Sequence, residues 1–408
     1  MAERVTYLEI FRIREFAALF VAHVASMLGT IVADVALTVL IYQRTQSPVL
    51  AASTMSLSFL PYLLGGSFLS SAAARWRSRR TLVVCDVMSA IIVAVMALPH
   101  LPVAAILCLL FVLGLAAPVF QGVRAATLPQ ILPPGPPYVL GRSVLRLVSQ
   151  GAQVVGFAAG GLLLVAVSPQ VALLVDAGSF LVSAIVLRLG TKERHPAAAT
   201  GHSVVRESVG NLTRVFAIPR LRKVMLIEWL LPLCAVAPEA LAAPYIAHLG
   251  LPEHNVGFWL TAIPIGTVLG DVVAARLLPV AWRRRIAVPA MCLTALMLAI
   301  FLVGPSFSVA YAMLIVLGLS CAYQPAVDQE LIDASPESLQ AAALSINSAG
   351  LMFWQGIGFG LWGLVGEILS PPAVVAIAGA AAFVAVLLFH PWPLLRRPAI
   401  VTVEPGPA

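Results

Sequence analysis

The sequence predicts an all-α membrane protein of twelve transmembrane helices in two six-helix halves, with both termini cytoplasmic. Three observations predict it. The 408 residues are 60% apolar and only 11% charged, with a mean hydropathy of +0.97, whereas a soluble domain is roughly 25% charged. Apolar segments of about 20 residues, the length that crosses a bilayer core, recur along the whole chain. All but Arg44 of the 25 Lys and Arg residues fall in or beside alternate gaps between those segments, which the positive-inside rule reads as the cytoplasmic gaps.

The twelve segments run at about 16–42, 49–71, 81–98, 102–123, 143–167, 171–189, 224–247, 256–278, 286–303, 307–327, 342–369 and 372–389. Met1 to Glu15 reads as a short cytoplasmic lead-in without a signal peptide. The outer gaps are tight Pro/Gly turns: Pro99-His100-Leu101-Pro102, Ser168-Pro169, Gly304-Pro305 and Ser370-Pro371-Pro372. Such turns join antiparallel neighbours and carry almost no charge. The inner gaps are basic. Arg75, Arg77, Arg79 and Arg80 follow segment 2, and Arg283-Arg284-Arg285 follows segment 8. The longest gap holds Lys192, Arg194, Arg206, Arg214, Arg220, Arg222 and Lys223. It divides the chain into a first half at 1–190, a linker at 191–223, a second half at 224–390 and a tail at 391–408. An internal repeat supports the division: Ala73-Ala74-Arg75 before one Arg cluster matches Ala274-Ala275-Arg276 before another. Repeated halves are an architecture of secondary transporters, with the substrate site near the midplane between them.

Three stretches carry a family resemblance. Val35 to Pro48 (VALTVLIYQRTQSP) ends segment 1, Gly156-Phe157-Ala158-Ala159-Gly160-Gly161 lies in segment 5, and Asp176 to Ala184 (DAGSFLVSA) lies in segment 6. With these the whole chain resembles the major facilitator superfamily, and within it the drug-exporter branch of macrolide-efflux and enterobactin-exporter relatives. The resemblance implies alternating access, a cavity lined by helices 1 and 7, and an inner gate formed by the loops after helices 2 and 8. Onto that gate it places Arg75, Asp86, Asp271 and Arg276. The chain departs from the family pattern in its loop 2–3 motif, where Ala74 and Ser70 replace an Asp and a Gly, and in the acidic gap before segment 11 (Asp328, Glu330, Asp333, Glu337).

Ionisable residues inside a span are costly, so each is a functional candidate. Segment 1 carries His23 and Asp34, eleven residues or about three turns apart and so on one face. Met27, Thr30 and Thr38 share that stripe. Segment 7 carries Glu228 and Glu239 at the same spacing. With helices 1 and 7 facing the cavity, these four form two proton-coupling ladders, because a carboxylate enclosed in a cavity, or a histidine, exchanges protons near neutral pH. The alternatives are an interhelical hydrogen bond for His23, the wet interface for Glu228 and a structural cap beside Gly29 for Asp34. A second group is basic: Arg124 ends segment 4, and Arg142, Arg146, Gln150 and Gln153 recur along segment 5. Arg124, Arg146 and Gln150 are placed in the substrate cavity with Gln355 of segment 11. Snorkelling to headgroups is the alternative for the arginines. Asp86 and Asp271 anchor the inner loops against the Arg clusters, and Asp176 fixes the outer start of helix 6. Phe258, Trp259, Tyr245, Phe353, Trp354 and Phe359 suit a cavity for a bulky amphiphile or, equally, a packed core.

No phosphate-binding Gly-rich loop followed by Lys-Ser/Thr, no Cys/His cluster and no nucleophile–base pattern occurs. The five Cys lie inside apolar segments as small hydrophobes. ATP, metals, other cofactors, nucleic acid and enzymatic chemistry are therefore not expected. The expected partners are a small-molecule substrate, protons and lipid, for a monomer in the inner cell membrane. Three functions compete: proton-driven export of hydrophobic or amphiphilic molecules such as drugs, import or facilitated passage of a metabolite or lipid, and a non-transporting scaffold or sensor.

Overall fold

The computed structural model describes residues 7–60, 77–133, 135–194, 212–276 and 279–389. Helices occupy all twelve apolar segments. In the first half they are α1 Arg14–Thr45, α2 Pro48–Phe59, α3 Ser78–Met96, α4 Val103–Ile131, α5 Pro136–Ala166 and α6 Pro169–Gly190. In the second half they are α7 Pro219–Ala235 with its continuations Ala237–Ala240 and Ala242–His248, then α8 Asn255–Arg276 and α9 Val280–Ala299. These are followed by α10 Phe307–Ser320 with Gln324–Ala334, α11 Gln340–Val365 and α12 Pro371–Phe389. Local chemistry sets several ends. Proline occupies the first turn of α2, α5, α6 and α7, where its missing N–H leaves no bond unmade. Ser47 caps α2 by accepting from the Leu50 N–H at 3.3 Å. Gln46, in the left-handed region at φ 53°, ends α1 with its N–H on the Tyr42 carbonyl at 2.8 Å.

Among the described residues, seven helices are long and apolar enough to cross a bilayer alone, or eight with the bent α7 counted as one span. That is fewer than the twelve expected; α2 and the side chains of α5 are described only in part, while α3 and α11 carry polar groups. Helix α3 brings Arg79, Arg80 and Asp86 into nineteen residues, and α2 is short within the described part. Helix α11 is diluted by Gly, Asn347 and Gln355. Residues 1–6 and 390–408, on which the expected cytoplasmic termini rest, lie outside the described residues, as does the linker at 195–211.

The bundle has a basic end, where the Arg-rich gaps lie, and a turn end, where the Pro/Gly turns lie. Contacts between the halves gather at the turn end. Gln43 at the end of α1 donates to Glu253 before α8, and Ser47 donates to Glu367 after α11. Glu367 also accepts from the Val49 N–H at 3.0 Å. Helices α5 and α8 touch at Gly161 and Gly257, where a Cβ on Gly257 would fall 2.4 Å from the Gly161 Cα. Phe59 stacks on Phe359 at 5.6 Å. At the basic end the ion pairs seen among the described residues lie within a half. Arg194 meets Glu15 at 2.6 Å and Arg79 meets Glu193 at 3.3 Å, while Arg220 holds Glu330 and Arg284 holds Asp333. The acidic gap before α11 thus supplies counter-charges to the second half's own basic residues. The lone outer Arg44 is also accounted for: its guanidinium donates to the Leu101 and Pro99 carbonyls, each at 2.9 Å, tying α1 to the α3–α4 turn.

Helix α7 is interrupted at Val236 and again at Leu241, three residues after Pro238, where it bends by 45°. Neighbours satisfy the freed backbone, as irregular structure at membrane depth requires. The Trp259 indole donates to the Pro238 carbonyl at 2.8 Å, and Trp362 donates to Leu233 at 2.7 Å. Trp259 also stacks on Tyr245 at 4.5 Å, and both are fully buried. The packed-core alternative therefore holds for these two aromatics.

Candidate functional site

A cavity of about 710 Å³ lies between the halves. Helices α1 to α5 wall it on one side, and α7, α8, α10 and α11 on the other. On α1 the lining runs from His23 to Asp34 and stops before the turn-end contacts.

Asp34, Asp86, Asp176, Glu228 and Glu239 divide by what they touch. Asp86 accepts from Ser183 at 2.5 Å, Asp176 from Ser179 at 3.1 Å, and Glu228 from the Asn347 amide at 2.6 Å. Asp34 and Glu239 line the cavity, one from each half. Among the described residues, neither of these two takes a side-chain hydrogen bond. A carboxylate without fixed donors has only solvent, a proton or a ligand to satisfy it, whereas the other three are held by the protein.

His23, Arg124 and Ser149 form a chain of bonds on the first-half wall. The Arg124 guanidinium approaches His23 Nδ1, and His23 Nε2 lies 3.1 Å from Ser149 Oγ. The Ser149 hydroxyl donates to the Leu145 carbonyl at 3.0 Å. A guanidinium has only donors, so Nδ1 accepts and the ring hydrogen sits on Nε2. The imidazole is neutral in this arrangement, and a proton on Nδ1 excludes the Arg124 contact. His23 thus satisfies its interhelical alternative while lining the cavity.

The remaining candidates separate clearly. Met27, Thr30, Arg124 and Gln355 line the cavity. Thr38 does not: it is buried, donates to the Asp34 carbonyl at 2.8 Å and bonds Thr54 at 2.9 Å, fastening α1 to α2. Glu228 is buried away from the cavity, so only one acid of the expected α7 ladder faces it. Asp86, expected at an inner gate against the Arg cluster, lines the cavity, and Arg79 of that cluster pairs with Glu193. Asp176 lies two turns inside α6 against Gly29 of α1 rather than at the start of α6. Asp271 is half-buried on α8. Arg75 lies outside the described residues, as do the side chains of Arg146, Gln150 and Arg276. Sequence reasoning missed Ser149, Gln121, Tyr323 and Gln324 in the lining. Of these Ser149 and Gln121 carried a signal, each lying one turn from a candidate, Gln153 and Arg124. It also missed Glu253 and Glu367, although acids in otherwise uncharged turns were visible in the sequence.

The transmembrane secretion effector family model matches residues 5–402. A curated relative, the uncharacterised MFS-type transporter YjbB of Bacillus subtilis (strain 168), is 27% identical over 404 residues, covering 95% of this chain and 96% of the relative. Solved structures share the fold at low identity. A POT family transporter in complex with a thioalcohol-conjugated peptide superposes with a TM-score of 0.71 at 12% identity, covering 94% of this chain and 97% of that one. The nucleoside transporter NupG gives 0.70 at 14%, covering 93% and 100%. A bacterial homologue of the human lysosomal transporter Spinster, inward-facing and unoccupied, gives 0.67 at 15%, covering 94% and 98%. Its all-helical fold, its two-walled cavity and a family match over nearly its whole length make this chain a member of the transmembrane secretion effector family, a multi-pass membrane transporter of the major facilitator type and not an enzyme.

Proposed function

We propose that this transporter exports hydrophobic or amphiphilic small molecules, drugs among them, across the inner cell membrane in exchange for protons, as in the drug-exporter branch. The observation that carries the reading is the pair Asp34 and Glu239, one cavity carboxylate from each half with no side-chain donor among the described residues. The positive-inside rule makes the basic end cytoplasmic, and on this reading the cavity takes its substrate from that side. A molecule entering it displaces protons from the two acids. Opening at the turn end then releases the molecule and lets the acids reload from the outer medium. A monomer suffices, because one chain supplies both walls.

A flux assay over a panel of amphiphiles, in vesicles with and without a pH gradient, tests this. Movement of at least one compound against its gradient, driven outward by inward proton flow, is expected. Gradient-independent equilibration of every transported compound would refute it. A second reading, uptake or facilitated passage of a metabolite or lipid, is favoured by the arginine in the cavity wall. Loss of an exporter sensitises cells to toxic amphiphiles, whereas loss of an importer does not.

A further inference from the structure

The acidic gap before α11 also reaches an acid of α7. On the inner segment of α10, Gln324–Ala334, Asp328 meets Glu228 of α7 carboxyl to carboxyl, within hydrogen-bond reach. Glu228 is buried, and its Oε2 accepts from the Asn347 amide of α11 at 2.6 Å. Asn347 is fixed in turn, because its side-chain oxygen accepts from the Trp229 indole at 3.1 Å, which leaves its N–H group for Glu228. We propose that Glu228 and Asp328 hold one proton between them, and that this proton fastens the inner segment of α10 to α7 until its loss to water at the basic end lets the segment move away.

Ionised carboxylates only accept, so a contact between two carboxyl groups closes only with a proton in it. When that proton leaves, two negative charges face each other across a buried position, and repulsion replaces the bond. The segment they join is set off from the rest of α10. A 3-10 turn at Cys321–Tyr323 separates it from Phe307–Ser320, and Tyr323 and Gln324 at this joint line the cavity. A shift of the segment therefore reaches the substrate space, although neither acid of the pair lines the cavity. That separates the pair from Asp34 and Glu239, and the latch does not depend on proton exchange at those two. The surrounding charged and titratable groups are few. Tyr323 lies close enough to interact electrostatically with Glu228. Arg220 of α7 holds Glu330 and Arg284 of α9 holds Asp333 on the same segment, and a guanidinium keeps its charge at every working pH. Helix α12, which also packs on α7, has no titratable side chain.

A distance measurement tests the latch without requiring flux. Spin labels at Arg222→Cys, exposed on α7, and Gln329→Cys, exposed on the α10 segment, are placed in full-length protein whose five native cysteines are replaced by serine, in lipid nanodiscs. Pulsed electron paramagnetic resonance reads their separation in acidic and alkaline buffer. With the native acids, a population of longer separation is expected to appear at alkaline pH. Glu228→Gln and Asp328→Asn should each abolish it and keep the short separation throughout, because an amide N–H donates where the shared proton stood. Unfolding temperatures equal to that of the parent at acidic pH show that the variants fold. Asp34→Asn with Glu239→Gln should leave the pH response intact. No longer population with the native acids, or one that survives in either amide variant, overturns the latch and leaves the exchange at Asp34 and Glu239 standing. A response lost with Asp34→Asn and Glu239→Gln assigns the movement to the cavity acids and overturns the latch as well.

Discussion

At the scale of single residues, partners decide meaning. The depth of Asp34 and Glu239 in apolar segments made them legible as candidates, and the structure places both in the cavity wall. Helical spacing alone could not separate Thr38 from Thr30 on the same stripe. Which side chain reaches the cavity depends on the neighbour, and α2 brings Thr54 to Thr38. Gly29 lies within one continuous helix, α1 from Arg14 to Thr45. Its lack of a side chain serves the approach of α6, since a Cβ there would fall 2.0 Å from Ser179 Oγ and 2.4 Å from Asp176 Oδ1. Gly29→Val should therefore cost about 1–3 kcal/mol through overpacking. Gly151, whose Cβ position is open, is the control: Gly151→Ala should be neutral or stabilise by about 0.5–1 kcal/mol. Thermal denaturation in one detergent compares them, and equal stability of the two variants would contradict the packing argument.

At the scale of elements, hydropathy placed a helix in each apolar segment but not what each one faces. Mean hydropathy registers lipid and packed core alike, and it falls where a helix turns polar groups toward a cavity or a partner. Asn347 of α11 illustrates this. It receives the Trp229 indole at 3.1 Å and donates to Glu228, so a residue that dilutes the span fastens α11 to α7. The prolines of α7 forecast a break, but nothing in the sequence indicated that Trp259 would close it. Trp259→Phe keeps the ring against Tyr245 and leaves the Pro238 carbonyl buried without its donor. A loss of about 1–3 kcal/mol is expected, measured by denaturation of the purified protein. No loss would mean that the bend does not depend on this bond.

At the scale of the whole molecule, the twofold division was legible from the basic gaps and the Ala-Ala-Arg repeat. The conformational state was not, because it depends on contacts between halves far apart in the chain. Several of those contacts lie at the turn end, and the close approach of Gly161 and Gly257 is backbone against backbone, which cannot yield to a side chain. Gly257→Leu should hold the turn end apart. In a variant retaining Cys321 of the cavity lining as its one cysteine, a membrane-impermeant thiol reagent added from the turn-end side should then react several-fold faster. An unchanged rate would show that the α5–α8 contact does not close that side.

The central claim is that Asp34 and Glu239 exchange protons for substrate. The most direct measurement follows the lumenal pH of vesicles containing the purified transporter when a transported amphiphile is added. The wild type should shift the lumenal pH as substrate moves. The paired variant Asp34→Asn, Glu239→Gln should bind the same compound yet produce no shift. A pH change of wild-type size in that variant would contradict the account.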